Sequence, residues 1–304
     1  MRDTYLKALY DLASKDNNVV SMVADNGLIV YDDFRNDFPD RYFNFGISEE
    51  NMVAAAAGMA SCGKIPFIYT ISAFLAYRAY EFIRDDVCFQ NQNVKIVGIG
   101  TGLTYSTLGP THHTTEDIGL LRGLPNLVVF SPATKKELLW VMQEAYRISK
   151  PVYIRLGNNK EEHYLEEPVF EIGKPSVVRE GKDISIFTTG TILNEVMKAY
   201  EMLKKDGVDA QVISMHSLKP FNTKAIAELA MKTKRIVVVE EHNVICGLYN
   251  ALAEVFVEEQ VYIPVLKIGL KDVFAKGYGK LEDVRRTNLL DGKAIYHKIK
   301  NWRP

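Results

Sequence analysis

Four segments of this chain hold side chains whose types and spacing could do chemistry. In FGISEENMVAAAAGMASCG, Ser48 can cap a helix that starts at Glu49 and runs into a stretch of alanines with high helix propensity. Glu49 and Glu50 would complement the positive end of that helix dipole, and Gly58 and Ala60 are small enough for close packing against a sheet. In SAFLAYRAYEFIRDD, Phe74, Tyr77 and Tyr80 recur at three-residue spacing and so fall near one face of a helix. Such a stripe can be core, or it can wall a flat heteroaromatic ring with its hydroxyls satisfied at the rim. In LGPTHHTTEDIGLLRGLPN a glycine-proline turn leads to His112 and His113. Adjacent histidines lack the i,i+4 geometry of a helical metal pair, and no third ligand stands near, so the choice is between acid/base or substrate hydrogen bonding and a solvated loop. In PVYIRLGNN, Arg155 closes an apolar strand, where a guanidinium could take a phosphate or carboxylate or could close a domain interface by a salt bridge. No GxGxxG follows a strand and no GxxxxGK[ST] occurs, so no dinucleotide or P-loop nucleotide is supported.

These residues need elements to hold them. Short apolar runs alternate with amphipathic stretches: VVSMVAD, NMVAAAAGMASCG, IPFIYTIS, AFLAYRAYEFIRDDVCFQ, VKIVGIG, then LPNLVVFSPA before KKELLWVMQEAYRIS. That rhythm is βαβ, and continuous apolar strands suit a parallel sheet covered on both faces. After PVYIRLG, the charged segment NNKEEHYLEEPVFEIGKPSVVREGKD carries two prolines and no apolar stripe, which reads as a connection over residues 158–182. A second α/β pattern follows in DISIFTTGT, ILNEVMKAYEMLKKDG, VDAQVISMHSLKPFN, RIVVVEEHN and GLYNALAEVFVEE. The expected architecture is α/β with two doubly wound domains, residues 1–165 and 180–304.

Bulk properties exclude some functions. The 304 residues carry 37 lysines and arginines against 38 acids, a balance that offers no electrostatic case for nucleic acid or an anionic membrane. Cys62, Cys88 and Cys246 form no CxxC pair, which argues against a zinc site or disulfide framework and fits a reducing cytoplasm. The N-terminal stretch is too charged for a signal peptide, and no apolar run approaches the ~18 residues of a membrane span.

Taken in order, FGISEENMVAAAAGMA, FLAYRAYEFIRDD, GPTHHTTEDIGLLRGLPN, SPA and PVYIRLG closely resemble the pyrimidine-binding domain of transketolases. Similar motifs occur in 1-deoxyxylulose-5-phosphate synthases and in the beta subunits of 2-oxoacid dehydrogenases. ISIFTTGT, VISMHSLKPFN and IVVVEEHNVICGLYNALAE resemble the C-terminal domain of the same superfamily. The resemblance implies thiamine diphosphate as cofactor. It implies that Glu49 faces the N1' atom of the aminopyrimidine and favours the imino form that deprotonates thiazolium C2. It further implies that Phe74, Tyr77 and Tyr80 wall the pyrimidine and that Asp25 in VADNG helps the cofactor site across a subunit interface. By the same resemblance, His112 contacts the substrate beside the reacting carbon and assists proton transfer, and Arg155 binds a sugar phosphate.

Two departures bear on substrate. Leu108 stands where transketolases carry an aspartate that reads a substrate hydroxyl, and Gly100 where another histidine is expected. A site that loses such a contact points to altered sugar stereochemistry or a deoxygenated substrate. VICGLYNAL also departs from a more glycine-rich family version. The family's diphosphate-binding domain, with its GDG motif and asparagine, is absent from these 304 residues. The resemblance therefore implies a separate N-terminal subunit that holds the magnesium or calcium ion, with no metal site expected here, in an α2β2 assembly. The leading expectation is transfer of a two-carbon ketol unit between ketose and aldose. The alternatives are decarboxylation of a 2-oxo acid and a non-catalytic subunit.

Overall fold

A computed structural model describes residues 1–27, 29–157, 164 and 170–303. Among these residues two sheets form. The first sheet takes β1 (Val19–Val23), β2 (Tyr42–Asn44), β3 (Ile65–Ile71), β4 (Lys95–Ile99), β5 (Val128–Phe130) and β6 (Val152–Leu156). The second takes β7 (Ser176–Arg179), β8 (Ile184–Thr188), β9 (Ala210–Ser214), β11 (Ile236–Asn243) and β12 (Val265–Leu270), while β10 (Ser217–Lys219) returns to the first. The spatial orders are β10-β5-β6-β4-β3-β1-β2 and β12-β11-β8-β9-β7.

The apolar runs explain this arrangement. Every residue of β1, β4, β6, β8 and β9 is buried, as strands covered on both faces by helices must be. The strands pair in parallel except at two edges, where β10 runs antiparallel to β5 and β7 antiparallel to β9. On one face of the first sheet, Tyr5, Leu9 and Leu12 of the helix Arg2–Ala13 pack with Leu138, Val141 and Met142. On the other, Met52, Val53 and Ala56 of the helix Glu49–Ser61 join a core that continues through Ile118 and Leu121 to Phe187, Leu248 and Phe256. The two halves therefore share apolar core.

Polar ties reinforce that junction. Glu241, in β11, accepts from the Leu103 N–H at 2.7 Å and from Arg285 Nε at 2.5 Å. Gly102 is required beside it, since a Cβ there would lie 2.4 Å from a Glu241 oxygen.

Four expectations change. β7 begins at Ser176, ahead of the expected start at 180, and the presumed connection lies partly at residues 158–163 and 165–169, outside the described residues. β10 comes from the second half of the chain yet completes the first sheet. Ser48 occupies the position before the helix Glu49–Ser61, but its side chain makes no capping hydrogen bond. The segment from Phe74 is not one α-helix: π-helical turns at Phe74–Arg78 and Ile83–Phe89 flank a short α turn at Tyr80–Phe82.

The carboxyl ends of β1, β2, β3, β4 and β6 open on one edge, where ligands of open α/β sheets gather. The loops there carry Asp25, Glu49, Phe74 and His112. Among the described residues no helix is long and apolar enough to cross a membrane.

A buried acid in β11 gives a pH test of this packing. Glu240 accepts from the Leu248 and Tyr249 N–H groups at 2.6 and 3.3 Å, holding the start of the helix Leu248–Glu258. Burial outweighs these bonds and pushes its pKa up to about 7. Between the unfolded value and about 7 the folded chain binds the extra proton, so stability is greatest at the acid end and falls as pH rises. Urea unfolding at pH 5 and pH 7 should show wild type losing about 1–2 kcal/mol more than Glu240→Gln over that interval.

Candidate active site

Glu49 is set in place by the ends of two strands. Asn44 Oδ1, at the end of β2, accepts from the N–H of Asp25 and of Gly46, both at 3.0 Å. Phe45 N–H donates to the Val23 carbonyl at 2.9 Å, which ties the same loop to β1. Gly46 at φ +67° supplies the left-handed turn that starts the chain toward its helix. Glu49 opens that helix and is only 1% exposed.

Its carboxylate accepts from Arg78 Nη1 at 2.8 Å, while the Arg78 side chain stays 43% exposed. The guanidinium lies over the Phe74 ring, 5.0 Å from its centroid. Phe74 in turn meets the His112 imidazole edge-on at 5.0 Å, and Tyr105 meets it at 6.1 Å. His112 Nδ1 is hydrogen-bonded to Thr111 Oγ1 at 2.9 Å. Glu49, Arg78, Phe74 and His112 thus form one continuous set of contacts.

The other two aromatic residues point elsewhere. Tyr77 donates to Glu116 Oε2 at 2.5 Å and accepts from the Thr115 and Glu116 N–H groups at 3.1 Å each. Burial, with the neighbouring charges of Asp117 and Glu116, raises its pKa well above the ordinary phenol value. Tyr80 donates to the Leu120 carbonyl at 3.4 Å. The π-helical turns split the expected single face, leaving Phe74 toward His112 and the two tyrosines toward residues 115–120. Asp25 sits exposed at φ +48° beyond β1 and is tied to the site through Asn44, whose Oδ1 accepts from its N–H.

Arg155 is corrected by the geometry. It is 3% exposed, its Nε donates to Asp117 at 2.9 and 3.2 Å, and its Nη2 donates to the Thr114 and Glu241 carbonyls at 3.2 and 3.3 Å. Asp117 also accepts from the Tyr153 hydroxyl at 2.8 Å, which pairs with Ser72 Oγ at 2.7 Å. The ion pair lies within the first half, and only the hydrogen bond to the Glu241 carbonyl crosses to the second, so Nε and Nη2 of this guanidinium are engaged inside the fold rather than turned to a sugar phosphate. Asp117 and Glu116 were the residues that sequence reasoning missed, although both stand in the TTED cluster after the paired histidines. His113 is buried, neither ring nitrogen has a hydrogen-bond partner among the described residues, and burial lowers its pKa. Among the described residues no group of three or more His, Cys, Asp or Glu could hold a metal ion.

The family profile "Transketolase, pyrimidine binding domain" matches residues 1–161, and "Transketolase, C-terminal domain" matches residues 173–293. This chain belongs to the transketolase family. A putative transketolase C-terminal section of Methanocaldococcus jannaschii is 36% identical over 304 residues, covering 98% of this chain and 95% of the relative. A 6-deoxy-6-sulfo-D-fructose transketolase subunit of Clostridium sp. is 34% identical over 278 residues, covering 91% and 86%. A solved structure described as "Split gene transketolase, inactive beta4 tetramer" superposes with a TM-score of 0.89 at 37% identity, covering 98% of this chain and 96% of that one.

Thiamine diphosphate is the cofactor that this transketolase membership implies. The residues fit its aminopyrimidine end, since a sealed carboxylate lies beside a partly exposed aromatic ring at the sheet edge. Among the described residues no cluster of acidic or histidine ligands is furnished for the metal ion at its diphosphate end.

The structural role of Arg155 is directly testable. Arg155→Ala leaves Asp117 buried and unpaired, which should lower unfolding stability by about 3–5 kcal/mol and shift the denaturant midpoint accordingly. A phosphate anchor would instead raise KM and leave the midpoint where it was.

Proposed function

We propose that this chain is the C-terminal component of a two-chain transketolase, moving a two-carbon ketol unit from a ketose to an aldose. The observation that carries the reading is Glu49, a carboxylate sealed at a helix start yet linked through Arg78 to the partly exposed Phe74 and His112. Thiamine diphosphate, when bound, supplies a thiazolium carbon that adds to a carbonyl and stores the electron pair of the broken carbon–carbon bond.

The chain's own residues would do the rest. Glu49 holds a proton against the pyrimidine N1' atom, in place of the hydrogen bond it now takes from Arg78. Its near-complete burial keeps water from competing for that bond. Phe74 walls the ring, and Tyr77, held by its three bonds to residues 115 and 116, anchors the turn that presents it. His112 has its Nδ1 turned to Thr111, which leaves Nε2 for a substrate oxygen beside the reacting carbon. Arg155 stays out of the substrate-contacting set because it is almost fully buried with Nε and Nη2 engaged inside the fold.

The diphosphate and its magnesium or calcium ion would be held by a separate N-terminal subunit, in an α2β2 assembly of the cytoplasm. Support comes from relatives that are themselves described as a C-terminal section and a subunit, and from a split-gene relative described as inactive in its β4 form. Asp25, exposed at the sheet edge, would meet the cofactor site of the neighbouring subunit.

The test uses the complex reconstituted with that subunit and given a ketose phosphate plus an aldose phosphate. Glu49→Gln should cut ketol transfer by about a hundredfold or more while circular dichroism and melting stay unchanged. Full activity in the variant would sink the assignment of Glu49. Release of carbon dioxide from pyruvate without ketol exchange would favour a 2-oxo acid decarboxylating enzyme instead.

A further inference from the structure

The loop that follows β4 carries an exchange of volumes. Gly100 has φ +82°, and a Cβ built on it would lie 2.0, 2.5 and 2.9 Å from Cε2, Cδ2 and Cζ of Tyr105. No side chain can stand at position 100 while the Tyr105 ring is there, so the ring occupies the space into which residue 100 would project. That space adjoins His112, whose imidazole meets Tyr105 at 6.1 Å and 63° and Phe74 at 5.0 Å and 65°. The ring is partly buried, and burial raises the pKa of its hydroxyl.

The backbone around Tyr105 holds the ring in place. Its carbonyl accepts from the Leu108 and Gly109 N–H groups at 2.9 and 3.2 Å, closing a turn. Ser106 Oγ donates to the Gly279 carbonyl at 2.7 Å and Gly279 N–H donates back to Ser106 at 3.2 Å. The Tyr278 ring fills the space beside Gly109, where a Cβ would lie 2.3 Å from it. The second half of the chain therefore pins the turn that presents Tyr105. At the far end of the same turn Leu108 is 48% exposed, so the turn ends on an apolar side chain open to solvent.

We propose that Tyr105 is a specificity-determining residue that contacts the carbonyl substrate, its ring packing against the C–H face of the carbon chain beside His112. This rests on the functional reading above, because it takes His112 as the edge of the substrate site. The wall selects by shape: a small sugar presenting C–H groups to the ring is favoured over one that presents a hydroxyl there, since an aromatic face leaves that hydroxyl without a partner.

The experiment compares wild type, Tyr105→Ala and Tyr105→Phe in the complex reconstituted with the N-terminal subunit and thiamine diphosphate. Tyr105→Ala should raise KM for the ketose phosphate about tenfold with kcat changed less than about threefold, and Tyr105→Phe should stay close to wild type. Calorimetric binding of ribose 5-phosphate, without a donor and hence without turnover, should weaken to a similar degree in Tyr105→Ala, whereas thiamine diphosphate affinity should hold. Unchanged KM and unchanged ribose 5-phosphate binding in Tyr105→Ala would overturn the proposal, as would an equal loss of thiamine diphosphate affinity. If Tyr105→Ala does not fold, Tyr105→Leu takes its place with the same criteria. Should the complex turn over pyruvate and no ketose, the transketolase reading fails, while the KM for pyruvate in the same variants still decides the role of Tyr105.

Discussion

A guanidinium and a carboxylate sealed away from water, Arg155 and Asp117 of the first half, stand where the two halves of this chain meet. Arg155 lies in β6 of the first sheet and reaches the Glu241 carbonyl in β11 of the second, so one side chain spans the junction. Asp117 opens the helix that follows the paired histidines, and Tyr153 ties the same carboxylate to Ser72 at the end of β3. Burying such a pair is costly in desolvation, and its attraction repays that cost only when geometry and extra hydrogen bonds are good. Here Nη2 adds hydrogen bonds to the Thr114 and Glu241 carbonyls.

The candidate site depends on that junction through short links. Asp117 directly follows Thr115 and Glu116, whose N–H groups bond the Tyr77 hydroxyl. Tyr77 belongs to the π-helical turn that carries Phe74 and Arg78, and Arg78 meets Glu49. A disturbance at a buried ion pair is thereby felt at a carboxylate that belongs to a different strand-to-helix connection. The same logic places the Tyr105 turn under the control of Ser106 and Gly279 from the second half.

Much of this was legible in the residues. The apolar runs became buried parallel strands, because a strand covered on both faces needs continuous apolar sequence. Glu49 could be singled out since its motif stands in order with three others. What stayed hidden depended on distant partners or on backbone geometry. Arg155 offers a phosphate as readily as an aspartate until Asp117, 38 positions away, is seen against it. The spacing of Phe74, Tyr77 and Tyr80 assumes an α-helical period, which π-helical turns do not keep. Gly100 reads as a lost side chain, and only the fold reveals that Tyr105 has taken its volume.

The account makes this chain a half-site, able to receive the pyrimidine of a cofactor whose diphosphate and metal it has no acidic cluster to hold among the described residues. Titration calorimetry of thiamine diphosphate and magnesium into the chain alone, and into the chain mixed with an N-terminal transketolase subunit, tests this most directly. The account predicts no saturable binding to the chain alone and one cofactor per pair of unlike subunits in the mixture. Tight, saturable binding to the chain alone would contradict it.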